Sequence, residues 1–268
     1  MANWHLHCRD AAFGRVKSTE VLASSNAVYS AAVVDGNPMN VWSPASSTTV
    51  EFDFGAESSF VCYGVALCNH NLAGETVTLF RATSFGGTGT SAQAWTVPSN
   101  EDVVLIDPAP LSTSAYWTVG FSSLTTSQYI GELSLLDQAY SFELTYPSAP
   151  RFPVSVSAQP GAAVLRTASG VPFEQVMGGV VRPFPMIISV ADFSVDTPGV
   201  GRKIHNWVRE GLNRRVWITD DTFGADTANI GPGLYAWLPE QQGQIIYPTA
   251  RGELLLPFEG IGYNRQPS

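Results

Sequence analysis

The chain has 268 residues, only 14% of them charged, and its 23 acidic against 14 basic residues give a formal net charge of −9. This balance argues against nucleic-acid binding, because affinity for the phosphate backbone depends on clustered Lys and Arg. With 44% hydrophobic and 11% aromatic residues, the chain has enough apolar surface to fold as one large domain or two.

The first ten residues carry two histidines and a cysteine. His5, His7 and Cys8 are donors that zinc or copper accepts, and strand alternation would place both histidines on one side. No second pair of ligands at a metal-type spacing completes such a site, so we interpret the segment as a terminal strand. Residues 1–10 also lack the apolar core of a secretory signal, and no run is long enough to span a bilayer. We therefore expect synthesis in a cytoplasm and no integral membrane segment.

Short apolar or alternating runs separated by turn residues recur along the first half. Val50 to Phe54 alternates between apolar residues and acids, which is typical of a half-buried strand. Cys62 and Cys68 lie six positions apart in one run, about 20 Å if it is a strand, so we expect all three cysteines to be reduced. Further strands are predicted at 60–68, 76–83, 102–106, 115–121 and 129–136. This spacing predicts an all-β chain with an antiparallel sandwich.

The composition changes near residue 140. Residues 1–140 carry 12 acidic and 4 basic residues, whereas residues 141–268 carry 11 and 10. Pro147, Pro150 and Pro153 follow this shift and are typical of a linker or an edge segment. We predict two domains, 1–140 and 141–268. The second is again β-rich, with strands at 154–156, 163–166, 186–195, 216–219, 234–238 and 253–258.

One short amphipathic helix is predicted in the second part. Thr197 suits its N-cap, Pro198 its first turn and Gly211 the position after its end. Its charged residues form either a solvated helix face with its exit loop or a docking patch for an acidic neighbour, such as the first domain of another copy. The candidate interface residues are Arg202, Lys203, Arg209, Arg214 and Arg215.

No motif for catalysis stands out, so we expect no enzymatic activity and assign no catalytic residue. Four scattered histidines offer little for a nucleophile with a base, and neither a Gly-x-Ser-x-Gly elbow nor a phosphate-binding loop occurs. Asp220, Asp221, Asp226 and Asn229 provide oxygen donors for calcium, but the same residues are ordinary turn formers.

The stretch from Ala32 to Trp42 resembles the Ala-x-x-Asp-Gly-x-x-x-x-x-Trp signature of discoidin-like domains, also called galactose-binding-like jelly rolls. The strand 50–55, the core strand 61–68 and the closing strand 129–133 follow in the family's order. The resemblance covers roughly residues 20 to 140. It implies an N-terminal jelly-roll β-sandwich in which Trp42 fills the core.

Many members of that family bind calcium through the Asp-Gly loop and the acid of the closing strand. The resemblance implies Asp35, Asn40 and Glu132 as ligands, with carbonyl groups completing the shell. A metal-free turn is the alternative, because Asp35-Gly36 is also a turn pair.

A second pattern, from Cys68 to Leu79, is similar to discoidin-like modules in bacteriophage tail proteins, where a β-rich part follows. Arg166 to Gly170 and the strand-helix-strand stretch from Met186 to Ile218 fit that outline. The resemblance implies a structural protein of the virion tail, in the distal-tail or tail-tip region, assembled in the host cytoplasm. Its partners would be other tail proteins and copies of itself.

The alternative function is carbohydrate binding, in which loops of the first domain contact host surface polysaccharide. Loop tips with an aromatic residue and Asn or Arg would favour it. The candidate ligand-binding residues are Asn69, His70, Asn71 and Arg81, with Phe85 nearby in the sequence.

Overall fold

The computed structural model describes residues 4–8, 16–87, 89–144, 159–166, 172–189, 215–219, 230–237, 245–246 and 253–260, together with the helical positions 200, 203, 204 and 207. About two thirds of these residues lie in antiparallel strands, so the predicted all-β fold class is confirmed. No helix in this part of the chain has the length and apolar character needed to cross a bilayer.

The first half forms a two-sheet sandwich. One sheet has the strand order β2 (Val16–Ala23), β3 (Thr48–Phe60), β8 (Ser114–Leu124), β5 (Thr76–Ala82) and β6 (Gly89–Thr96). The other has the order β14 (Ile230–Pro232), β7 (Val103–Ile106), β4 (Cys62–His70) and β9 (Ile130–Asp137). The predicted jelly-roll-like sandwich is confirmed. A 3₁₀ helix, Ala27–Val34, precedes the Asp-Gly loop.

The second half forms one large sheet. Its order is β10 (Ser141–Leu144), β1 (Trp4–His7), β13 (Arg215–Thr219), β15 (Leu234–Trp237), β17 (Glu253–Gly260), β12 (Pro172–Ser189) and β11 (Gln159–Arg166), and β16 (Ile245–Ile246) pairs with β17. A short 3₁₀ turn, Gln138–Tyr140, connects the sandwich to β10.

The two halves exchange strands. β1, from the sequence predicted to belong to the first domain, lies between β10 and β13 in the second sheet. β14, from the second half, extends the first half's sheet by pairing with β7. The composition boundary near residue 140 therefore does not separate two independent sheets, because each half contains a strand of the other.

The sandwich core explains the alternation seen in the sequence. Val50, Phe52 and Phe54 are buried between the sheets, whereas the acids between them face outward. Trp42 is fully buried and packs edge-on against Phe52, with ring centroids 4.7 Å apart. Trp42 thus fills the sandwich as the resemblance implies.

A second core lies under the large sheet. Ile204 and Trp207 from the predicted helix are buried against it, and Lys203 points to solvent, as the amphipathic pattern predicts. The ends of this helix lie outside the described residues. The other members of this core include Leu6, Phe142, Leu144, Met186, Ile188, Val216, Ile218, Ala236 and Leu256.

A third cluster joins the two halves, and we call it the junction core. Trp217 and Tyr235 from the large sheet pack on the outer face of the four-stranded sheet. That outer face contributes Tyr63, Ala66, Cys68, Val104 and Leu136. Because β4 is covered on both faces, all nine of its residues are buried, and its sequence reads as a continuous apolar run without alternation.

Candidate functional site

The loop after the 3₁₀ helix is closed by its own side chains. The Asp35 carboxylate accepts a hydrogen bond from the Asn37 backbone N–H at 2.7 Å and another from the Asn40 side-chain amide at 2.7 Å. The Asn37 side chain accepts the Met39 N–H at 3.2 Å. Gly36 has a φ of 75°, a left-handed conformation that suits glycine because it has no Cβ. The polar groups of this turn are therefore used within the loop.

Gly36 also connects the loop to both halves of the protein. Its N–H donates to Oε2 of the fully buried Glu132 at 2.9 Å. Its carbonyl accepts a hydrogen bond from the guanidinium of Arg215 on β13. A Cβ at Gly36 would lie 2.2 Å from Cζ of Arg215, so the guanidinium occupies the space that a side chain would need. An acid and a base from different halves thus converge on one glycine.

Asn69, on β4, contacts the same loop. Its backbone has a φ of 49°, and its side-chain amide donates to the Pro38 carbonyl at 2.5 Å. A Cβ at Gly131 would approach that carbonyl to 2.3 Å, so the loop lies directly on β9. The structure therefore brings together Asn69 and the predicted calcium ligands, which the sequence assigns to separate sites.

The other loop candidates for ligand binding make structural contacts. His70 is 2% exposed, and its Nε2 lies 2.9 Å from the Glu101 carbonyl. Asn71 donates to the Ser127 carbonyl at 2.9 Å and accepts the Tyr129 N–H at 2.6 Å. The Asn-His-Asn residues therefore have a structural role, because their side chains hydrogen-bond to the backbone of neighbouring loops at this end of the sandwich.

Arg81 lies apart from that end. It is on β5, where its guanidinium donates to the Ser112 hydroxyl. Phe85 is 38% exposed in the turn between β5 and β6. The structure does not join either residue to the Asn69 loop in a common binding surface within the part of the chain that it describes.

Two of the five candidate interface residues can be placed. Lys203 is exposed on the helix, as predicted. Arg215 is half-buried, and its guanidinium donates a hydrogen bond to the Gly36 carbonyl of its own chain. Arg202, Arg209 and Arg214 lie outside the described residues, as do Asp220, Asp221, Asp226 and Asn229.

His7 lies in a buried cluster of hydroxyl groups between the two halves. Its Nδ1 hydrogen-bonds to the Tyr63 hydroxyl of β4 and lies 3.3 Å from the Ser141 hydroxyl, and its Nε2 lies 3.4 Å from the Thr219 hydroxyl. His5 stacks on it with ring centroids 6.2 Å apart, as the predicted alternation requires. Burial, with a smaller contribution from the charge of His5, lowers the pKa of His7 to about 3.

We expect this buried histidine to make the protein sensitive to acid. The pKa of His7 is about 3 in the folded chain and 6.5 when exposed, so its contribution to stability is complete above pH 6.5 and lost as the pH falls toward 3. The loss is on the order of 4 kcal/mol. Urea denaturation at several pH values would measure it. His7→Phe should be less stable at neutral pH but depend less on acid, and an unchanged slope in that variant would contradict the assignment to His7.

Among the described residues, four of the five exposed large apolar side chains lie in the 3₁₀ helix and the Asp-Gly loop that follows it. We define the Tyr29 patch as Val28 (88% exposed), Tyr29 (63%), Met39 (46%) and Val41 (48%). Its two segments meet at Asn26, whose carbonyl accepts both the Tyr29 N–H at 3.1 Å and the indole N–H of Trp42 at 3.3 Å. No periodicity or motif marks these residues in the sequence, because two of them lie in the short 3₁₀ helix and the other two in the irregular loop that follows it.

A calcium ion at this loop would compete with existing hydrogen bonds, because both carboxylate oxygens of Asp35 accept hydrogen bonds within the loop and the Gly36 carbonyl is bound by Arg215. Calcium binding by Asp35, Asn40 and Glu132 stays a prediction. The positive guanidinium also disfavours a cation at this position. Among the described residues, no three His, Cys, Asp or Glu side chains are grouped as a metal site requires. Cys8, Cys62 and Cys68 are buried and form no disulfide with one another.

The contact between Gly36 and Arg215 can be tested with a matched pair of glycines. Gly36→Ala and Gly74→Ala both force an alanine into positive φ, but a Cβ at Gly74 meets nothing within 4 Å. We expect Gly74→Ala to lower the free energy of unfolding by about 1 kcal/mol and Gly36→Ala by about 3 kcal/mol, since the latter also displaces Arg215. Chemical denaturation measures both. Equal losses would mean that Arg215 does not close the loop.

No protein-family model and no curated protein sequence matches the chain. Similar solved structures include a chitosan-binding module from a chitosanase/glucanase of Paenibacillus sp. IK-5, with 19% identity, 47% of this chain and 98% of that chain covered, and a TM-score of 0.39. Another is the CBM32 module of AlyQ in complex with 4,5-unsaturated mannuronic acid, with 19% identity, coverages of 46% and 97%, and a TM-score of 0.37. A third is CBM32-3 of a family 31 glycoside hydrolase from Clostridium perfringens, with 10% identity, coverages of 48% and 99%, and a TM-score of 0.37. These similarities concern the fold and assign no ligand to this chain.

Proposed function

We propose that this chain is a non-enzymatic structural protein that works by protein–protein assembly. The observation that carries the proposal is the Tyr29 patch, in which three of the four exposed side chains are aliphatic or thioether groups. Exposed apolar patches on a folded surface mark interaction sites, and Met and Tyr are enriched where proteins meet. Valine side chains offer a sugar neither a stacking face nor a hydrogen bond, so the composition of the patch favours a protein partner.

The strand exchange supports the same function. Because β1 and β14 each pair with strands of the other half, and Arg215 binds the loop beside the patch, the patch is fixed to both sheets. A rigid surface loses little conformational entropy when it docks, which favours affinity. The two halves act as one block, as a subunit of a larger assembly requires.

The particular assembly that we propose is the tail of a bacteriophage virion, in its distal or tip region, formed in the host cytoplasm. Support comes from the sequence resemblance to discoidin-like modules of tail proteins, in which a β-rich part follows the sandwich. The partners would be further tail proteins and copies of this chain.

Light scattering of the purified full-length chain, alone and with candidate tail proteins, tests this function. We expect complexes larger than one chain, and we expect Val28→Glu and Val41→Glu to weaken them at least tenfold. Phe85→Glu is the matched control, because it changes an exposed apolar residue in a different turn. A chain that stays monomeric in every mixture, or patch variants that assemble normally, would contradict the proposal.

Carbohydrate binding is the second candidate function, and Tyr29 is the observation that favours it. Tyr29 is 63% exposed, and an exposed aromatic side chain is a surface on which a sugar can stack. A glycan array with the full-length chain, followed by titration, separates the two functions. Binding that Tyr29→Ala abolishes and Phe85→Ala preserves would favour the glycan, whereas no binding at millimolar sugar would exclude it.

A further inference from the structure

The longest strand of the protein has two different neighbours along its length. In β12, Arg182 to Ser189 pair with β17, and Pro172 to Val181 pair with β11. Within the described strands, no third strand pairs with β11 or with the first ten residues of β12. These ten residues and β11 therefore form a two-stranded ribbon, about 33 Å long, that continues beyond the large sheet. We call it the β11–β12 arm.

An arm of this kind needs a partner. A two-stranded hairpin is marginally stable in water by itself, and a third strand or a packed face is needed to stabilise it. Natural edge strands that do not pair are usually protected by charged residues or proline. The sequence Ala162-Ala163-Val164-Leu165 in β11 has neither, because Pro160 precedes it beyond a bulge and Arg166 follows it. This stretch is suited to accept another strand.

The same sheet has a second edge at its opposite end. Among the described strands, β10 pairs only with β1, and none of them covers its other edge. β10 carries Glu143 in its four residues, and Arg166 follows the uncharged stretch of β11. Among the described strands, the large sheet thus has two uncovered edges, one with an acidic and one with a basic residue.

We propose that the β11–β12 arm pairs with a second copy of this chain, and that the edge it meets is β10. Joined in this way, the large sheet of one copy continues into the large sheet of the next. The contact is head-to-tail, because it uses a different edge on each copy, and a head-to-tail contact closes into a ring when its rotation allows. The inference rests on the proposed assembly function and names its contact.

Cysteine cross-linking gives a direct test, because the two edges lie far apart within one chain. Five strands separate β10 from β11, so the edges are about 29 Å apart, several times the distance that a disulfide spans. A disulfide between them can form only between copies, and the three native cysteines are buried. The experiment mixes full-length Glu143→Cys protein with Ala163→Cys, Val164→Cys or Leu165→Cys protein under mild oxidation. Lys203→Cys, at an exposed helix position, replaces Glu143→Cys in the control mixture.

We expect a disulfide-linked dimer in at least one mixture with Glu143→Cys and none above background in the control. If the arm variants link to themselves instead, the arm meets another arm and the pairing with β10 is wrong. If no mixture links although light scattering shows that the chain assembles, the inference fails and the assembly function stands. If the chain does not assemble at all, both fail.

A second measurement does not depend on cysteine chemistry. Replacing residues 159–181 with a short Gly-Ser linker removes the arm and keeps the part of β12 that pairs with β17. We expect this variant to show the wild-type thermal midpoint within a few degrees and to be monomeric where the wild type assembles. Equal assembly with and without the arm would overturn the inference, and Val164→Lys, which keeps the arm, should reproduce the loss in part.

Discussion

Leu6→Asp is expected to unfold the large C-terminal sheet, although the substitution lies six residues from the other end of the chain. Leu6 is fully buried in the core under that sheet, and its strand β1 lies between β10 and β13. A carboxylate at this position would be buried without a partner, which costs more than about 4 kcal/mol. We expect limited proteolysis to degrade residues beyond 140 before the sandwich.

The control for this substitution is His5→Asn on the same strand. His5 is half-buried and lies on the other face of β1, so we expect its replacement to change the free energy of unfolding by less than about 1 kcal/mol. Urea denaturation followed by tryptophan fluorescence measures both variants. If Leu6→Asp is no less stable than His5→Asn, β1 is not an interior strand of the sheet.

Trp217→Ala is expected to cause the second large loss of stability, because this residue packs between the two halves of the protein. Its side chain is fully buried in the junction core, and its indole N–H donates to the Ser134 hydroxyl of β9 at 2.9 Å. Removing a buried tryptophan costs about 3 to 5 kcal/mol. We also expect the single unfolding transition to separate into two, since the halves lose their shared core.

Trp117→Ala provides the matched comparison. Trp117 is equally buried but lies in the sandwich core, away from the junction core. We expect a similar loss of stability with one cooperative transition, measured by calorimetry. Two transitions in both variants, or one in both, would contradict the special role of Trp217. A double-mutant cycle with Ser134→Ala would measure the part carried by the hydrogen bond.

Local patterns predicted six of the nine strands of the sandwich and missed β2, β6 and β14. The alternation at Val50 to Phe54 indicates which residues face the core, and the aromatic and β-branched run of β8 indicates a buried strand. The helix near Trp207 was also predicted with the correct buried face. These features depend on neighbours within a few residues, where side-chain periodicity carries the information.

The exchange of strands between halves could not be predicted in this way. The pattern of β1 is compatible with either sheet, since alternation indicates a face and not a partner. One signal was present: β4 reads as a continuous apolar run, which indicates a strand covered on both faces, and the second cover is the junction core. The charge shift near residue 140 coincides with the passage from β9 in the sandwich to β10 in the large sheet, but it gives no sign that β1 and β14 pair across this boundary.

In the candidate site too, local features were predicted from the sequence and long-range contacts were not. The Asp35-Gly36 turn was correctly predicted from the residue types, but its partner Arg215 is 179 positions away, and nothing in its own neighbourhood indicates the contact. Asn69 and His70 looked like loop-tip residues because Asn and His are common there. In the structure their side chains bind backbone carbonyl groups, which a single sequence does not show.

The placement of β1 also sets the order in which the protein can be completed. β1 leaves the ribosome well before β13, because the Thr219 side chain that His7 meets follows 212 residues later. At ordinary translation rates, roughly 10 to 40 s pass before β13 is available. During that time Leu6 and its neighbours cannot pack into the large sheet, so their apolar side chains are accessible to chaperones and to other nascent chains. Contacts so distant in sequence also make refolding slow, so a chain diluted from denaturant should regain its C-terminal sheet later than its sandwich.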